Sequence, residues 1–131
     1  MEFLEINKKR NKGKFKIIHG VLSNDRNLFY KKSHSFWGGK VVKDKTSEPI
    51  SSYNLGQLEK ITNLKFNTLV MDIEGGETDV IRDLDLQFFK KLLFEIHFER
   101  EDLKYLSIEK KLKKNNFKKK ETYGKVEYWE K

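Results

Sequence analysis

Apolar residues fall in short runs along this chain, and the spacing within them switches between a helical period and an extended one. Met1–Lys12 places Phe3, Leu4 and Ile6 within two helical turns and stops before Gly13, which predicts the end of a helix with those three residues inward. "FKIIHGVL" (Phe15–Leu22) and "LFYKK" (Leu28–Lys32) predict two strands. "SNDRN" between them predicts the turn of a hairpin or meander. A short strand is expected at Lys40–Lys43. Beyond Pro49, Asn54 with Gln57 three residues on has the pattern of a capping box opening a helix over Leu55–Thr62.

The second half has stronger signals. "FNTLVMD" (Phe66–Asp72) lacks alternation, as a strand does when helices cover both of its faces. A helix follows from Glu77, and Asp85 is placed to cap a second short one ending near Lys90. Lys91–Phe98 is the next strand. Ser107 is the expected cap of a helix reaching Asn116, and the chain closes with a hairpin turning at Gly124. Strand, helix and strand in that order predict a right-handed crossover and a central parallel pair. The fold class is α/β, and with no repeat or linker the expectation is one domain over residues 1–131.

Composition narrows the partners. No cysteine is present, which excludes disulfides and thiolate chemistry. No apolar run approaches the roughly 20 residues that cross a bilayer, so no membrane span is expected. The N-terminus lacks a signal-peptide core, which makes the cytoplasm the expected location. The net charge of +8 raises nucleic acid or an anionic membrane surface. Its two sources, Asn7–Lys16 and Glu109–Lys120, do not interleave aromatics as a single-strand binder does. Lysines around Ile108 and Leu112 instead describe the solvated face of an amphipathic helix, and nucleic acid is not the expected partner.

Candidate chemistry collects at one rim. The two central strands end at Asp72 and His97, and open α/β sheets bind ligands beyond the carboxyl ends of their strands. Glu74 and Glu77 follow Asp72, with Gly75 and Gly76 permitting a tight reversal. Glu95 and His97, two apart, share a face opposite Ile96. Asp72, Glu74, Glu95 or His97 could serve as a general base, and crowded carboxylates could also recruit a cation, although no metal set is assigned. The helix dipole alone would account for Glu77, and a structural hydrogen bond for His97. His19 reads as a packing or edge residue. His34, Phe36 and Trp37 either line a pocket or pack back on the core. There is no P-loop, G-x-S-x-G elbow, H-E-x-x-H, Cys/His zinc spacing or G-x-G.

"FNTLVMDIEGGETDVIRDL" followed by "LLFEIHF" resembles the FkbM family of S-adenosylmethionine-dependent methyltransferases. Asp72, Glu74, Gly75 and Glu77 match its Asp-x-Glu-Gly-x-Glu segment, and Glu95 and His97 match its Glu-x-His strand. Weaker likeness in "FLEINKKRNKGKFKIIHGVLSND" and "EPISSYNLGQLEK" extends the match over most of Met1–Phe98. The resemblance implies a partial Rossmann-like methyltransferase sheet, mostly parallel, with an antiparallel C-terminal hairpin. It implies S-adenosylmethionine as cofactor, with Asp72 near the transferred methyl and Gly20 and Val21 near the adenine. The acceptors it implies are hydroxyl groups of sugars or small metabolites. The family's glycine-rich cofactor loop and first two strands have no counterpart here. The expectation is therefore an N-terminally truncated member whose early strands pair with the Phe66 strand or whose sheet a second copy completes. A non-catalytic binding or oligomerisation module and a basic nucleic-acid-associated domain are the alternatives.

Overall fold

The computed structural model describes residues 2–32 and 39–131, so the readings of His34, Phe36 and Trp37 lie outside the described residues. The chain divides into two compact units, Met1–Asn63 and Leu64–Lys131.

The first unit opens with helix α1 (Glu2–Arg10), which carries Glu2 and Glu5 in its first turn and Lys8, Lys9 and Arg10 in its last, complementing the helix dipole at both ends. The Gly13 N–H closes the helix on the Lys8 carbonyl at 2.8 Å, with Lys12 rather than Gly13 left-handed at φ 51°. The inward stripe is not found. No residue of α1 is buried and Phe3 is 80% exposed, because the apolar positions stop at Ile6 and make no continuous face.

The strand expected over Phe15–Leu22 shrinks to β1 (Val21–Leu22). It does not form a hairpin with the next strand but pairs in parallel with β5 (Ser52–Tyr53). The Phe-Lys-Ile start of that run stays outside any ladder, with Phe15 half-exposed and the Lys16 ammonium donating to the Thr62 carbonyl at 2.7 Å. Strand β2 (Leu28–Lys32) is instead the centre of an antiparallel sheet between β3 (Gly39–Val42) and β4 (Glu48–Ile50). Helix α2 (Leu55–Thr62) forms with its expected capping box. The Asn54 side chain accepts the Gln57 N–H at 2.9 Å, and the Gln57 side chain accepts the Asn54 N–H at 2.9 Å. Such a cap stabilises a helix by about 1 kcal/mol.

The second unit is a four-stranded sheet with its helices on one face. Strands β6 (Thr68–Met71) and β7 (Lys91–Glu95) are parallel neighbours, with Thr68 opposite Lys91 and Met71 opposite Phe94. Strands β8 (Lys118–Tyr123) and β9 (Val126–Glu130) form the expected antiparallel hairpin, with Gly124 left-handed in its turn. β9 lies against β7, giving the order β6–β7–β9–β8. The hairpin therefore makes this sheet mixed rather than mostly parallel. Among the described residues, two strand pairings are parallel and four antiparallel. The architecture is mixed α/β.

Leu92, Phe94 and Trp129 point to the core side of this sheet. There they meet Ile81 of α3 (Glu77–Asp83) and Tyr105, Ile108 and Leu112 of α4 (Leu103–Lys114), all buried. The opposite face is not covered along its length: Val70 is 70% exposed, and its ladder partner Leu93 is also exposed. Absent alternation in the sequence therefore did not mean that both faces are buried.

Three local expectations change. Residues 85–90 form a turn instead of a helix, because the Asp85 carboxylate accepts the Gln87 N–H at 3.0 Å and Leu86 and Phe89 both turn into the core. α4 begins a turn early, capped by Asp102, whose carboxylate accepts the Lys104 N–H at 2.7 Å. Ser107 sits inside that helix and donates to the Lys104 carbonyl. No helix among the described residues is long and apolar enough to cross a membrane.

Candidate functional site

The site is built where β6 and β7 end side by side. β6 stops at Met71, so Asp72 is the first residue off the strand. β7 stops at Glu95, and His97 lies two residues beyond, with buried Ile96 between them turned to the core. After Asp72 the chain reverses through Glu74 at φ 52° and Gly75 at φ 96°. A non-glycine residue in this left-handed region costs on the order of 1 kcal/mol. The turn leads directly into α3, whose first residue is Glu77.

Glu77 is the buried anchor of the site. Its side chain is 0% exposed, and its Oε1 accepts the Gly75 N–H at 3.2 Å and lies in hydrogen-bond contact with His97 Nδ1 at 2.5 Å. Its second oxygen is buried without a hydrogen-bond partner among the described residues. On the other side of the ring, His97 Nε2 lies 3.5 Å from a Glu74 oxygen and 3.8 Å from an Asp72 oxygen. Asp72, Glu74, Glu95 and His97 are therefore gathered on one ledge, as the strand order predicted. Glu77, for which the helix dipole alone would account, joins them. The signal available for it was its place in the Asp-x-Glu-Gly-x-Glu segment.

The electrostatics of the ledge favour a proton. Burial pulls the His97 imidazole toward its neutral form, but its hydrogen bond to Glu77 and the charges of Glu77, Glu74 and Glu95 outweigh it and leave its pKa raised. Asp72, Glu95 and His97 each present one ligand atom within 4.8 Å of the others, a spacing that a divalent cation could bridge. Asp72 is 66% exposed, however, and exposed carboxylates gather without an ion as a rule. A cleft of about 200 Å³ opens elsewhere in this unit, lined by Ile96, Phe98, Arg100 and Lys125 among others, and none of the five ledge residues lines it.

Gly20 and Val21 belong to the first unit, at the start of β1. A side chain at Gly20 would come within 2.6 Å of the Ser51 carbonyl oxygen and 2.7 Å of the Tyr53 ring. The glycine there permits close approach of the chain to β5.

A second polar cluster was not anticipated. Glu127, 0% exposed on β9, accepts from Tyr105 Oη, Lys119 Nζ and Trp129 Nε1, each at 2.9 Å. All its neighbours are satisfied, which makes it a structural centre of the core. No protein-family model, curated protein or solved structure matches this chain.

Proposed function

We propose that the ledge is the acceptor-side centre of an FkbM-type methyltransferase, acting on hydroxyl groups of sugars or small metabolites with S-adenosylmethionine as methyl donor. The observation that carries this reading is the parallel adjacency of β6 and β7, which gathers both motif segments, Asp72 with Glu74 and Glu95 with His97, on one ledge.

The cofactor would supply an electrophilic methyl group on a sulfonium. The donor set suits that charge, since Asp72, Glu74 and Glu95 are carboxylates facing one small region and Asp72 is open to a ligand. In this reading Asp72 stands beside the methyl group, and the ledge orients the acceptor hydroxyl and takes its proton. Gly20 fits less well, because the space a cradle would leave there is taken by Ser51 and Tyr53. That filled space favours the second reading, a methyltransferase-like module that binds or assembles without catalysis.

Calorimetric titration of the full chain with S-adenosylhomocysteine separates the two. Saturable heat is expected. Its absence at millimolar ligand would remove the enzymatic reading and leave the module.

A further inference from the structure

Glu77 has no assigned part in the reaction, yet it is the most constrained side chain of the ledge. It comes from the first turn of α3, is wholly buried, and meets an imidazole twenty residues away at 2.5 Å. A contact that short requires a proton between the two atoms. Oε1 already receives the Gly75 N–H, so the same oxygen is placed as an acceptor twice over. The proton then belongs to Nδ1, and the imidazole in its neutral form must carry its lone pair on Nε2.

We infer that Glu77 is the positioning residue of the ledge: by accepting the Nδ1–H of His97 it fixes the tautomer whose Nε2 lone pair faces Asp72 and Glu74, and so makes Nε2 the proton acceptor. The tautomer stands on this geometry alone, whereas the proton-accepting role rests on the methyl-transfer reading. Among the ledge groups an imidazole is the stronger base, since as a class its pKa lies about two units above a carboxylate's. In the reaction the acceptor's O–H bond breaks and its proton forms an N–H bond at Nε2. The oxygen keeps the electron pair and uses it for the new bond to the methyl carbon, while the methyl–sulfur pair stays on the donor's sulfur. Glu77 does not touch the substrate. It keeps Nδ1 occupied, so that the ring cannot flip or exchange tautomers when Nε2 is needed.

The test is long-range proton–nitrogen NMR of the full ¹⁵N-labelled chain, with no cofactor added, at a pH where the ring is neutral and with His97 assigned by comparison with His97→Gln. Wild type is expected to show a protonated Nδ1 and a bare Nε2. Glu77→Gln keeps an acceptor oxygen and should retain that pattern. Glu77→Leu removes the acceptor and should shift His97 toward the Nε2–H tautomer. A wild-type ring with bare Nδ1 overturns the proposal whether or not either variant folds, and so does Glu77→Leu with Nδ1 still protonated. The Nδ1–H tautomer in a chain that fails to bind S-adenosylhomocysteine would support the positioning role and remove the methyl-transfer reading.

Discussion

Replacing Glu127 with alanine should be among the most costly single changes in this protein. Its carboxylate lies wholly inside the second unit and holds three donors, the Tyr105 hydroxyl, the Lys119 ammonium and the Trp129 indole N–H. Tyr105 and Trp129 are themselves buried, so truncation leaves two desolvated donors without partners, at about 1–3 kcal/mol each. Burial pulls the Lys119 ammonium down, but its bonds to Tyr105 and Glu127 outweigh that and leave its pKa raised, so it stays charged. Breaking a buried ion pair by removing one partner costs about 3–5 kcal/mol. Lys119 keeps 28% of its side-chain surface in water and has a second carboxylate, Glu109, at 3.7 Å, so its own share is small and the two buried donors set the loss, at least about 2 kcal/mol in all. Asp79 and Arg82, paired at 2.7 Å on the exposed side of α3, are the control: Asp79→Asn should cost less than about 0.5 kcal/mol. The assay is equilibrium urea unfolding followed by the fluorescence of Trp129 in a Trp37→Phe background. A loss below about 1 kcal/mol for Glu127→Ala would refute the reasoning, since it would mean that the three donors find water.

If the proposed methyl-transfer reading holds, Asp72→Asn should abolish turnover while leaving the urea midpoint within error, because the side chain is largely exposed and lies beyond the end of β6; retained turnover would take Asp72 out of the proposed reaction. Stability should also follow the His97 titration. The folded-state pKa is raised above the ordinary 6.5, so the contribution of the ring is fully present below that value and is lost as pH rises through the folded pKa. Urea midpoints of wild type minus His97→Gln across that window should decline with rising pH, and a flat difference would show that Glu77, Glu74 and Glu95 do not hold the imidazolium.

What the chain made legible was local chemistry. The Asn54–Gln57 box, the turn at Gly124 and the two strands leading to Asp72 and Glu95 each depend on residues a few positions apart, and each is found. Readings that needed to know what lies beside an element failed. The run "FNTLVMD" reads as covered on both faces, but Val70 within it is 70% exposed and its ladder partner Leu93 also faces out. Ser107 has the chemistry of a cap, yet Asp102 reaches the first free N–H groups a turn earlier and takes the role. Glu77 with His97, and Tyr105 with Glu127, are separated by 20 and 22 positions and meet only because parallel and antiparallel pairings bring them together. A carboxylate that looks like a dipole partner in the sequence can therefore be the most buried group of a site.

The two buried glutamates differ in a way that bears on function. Glu127 has a donor for each of its oxygens and needs nothing further. Glu77 keeps one oxygen without a partner and directs the other to a ring whose far nitrogen faces carboxylates. Glu74 stands in a left-handed conformation, at about 1 kcal/mol, and brings a second negative charge to that nitrogen. Glycine or asparagine would turn the corner more cheaply at that position. A proton on Nε2 makes the arrangement favourable, which is why these carboxylates raise the pKa of the ring; under the proposed methyl-transfer reading, an acceptor hydroxyl beside a sulfonium would meet the same charges when the ring is neutral.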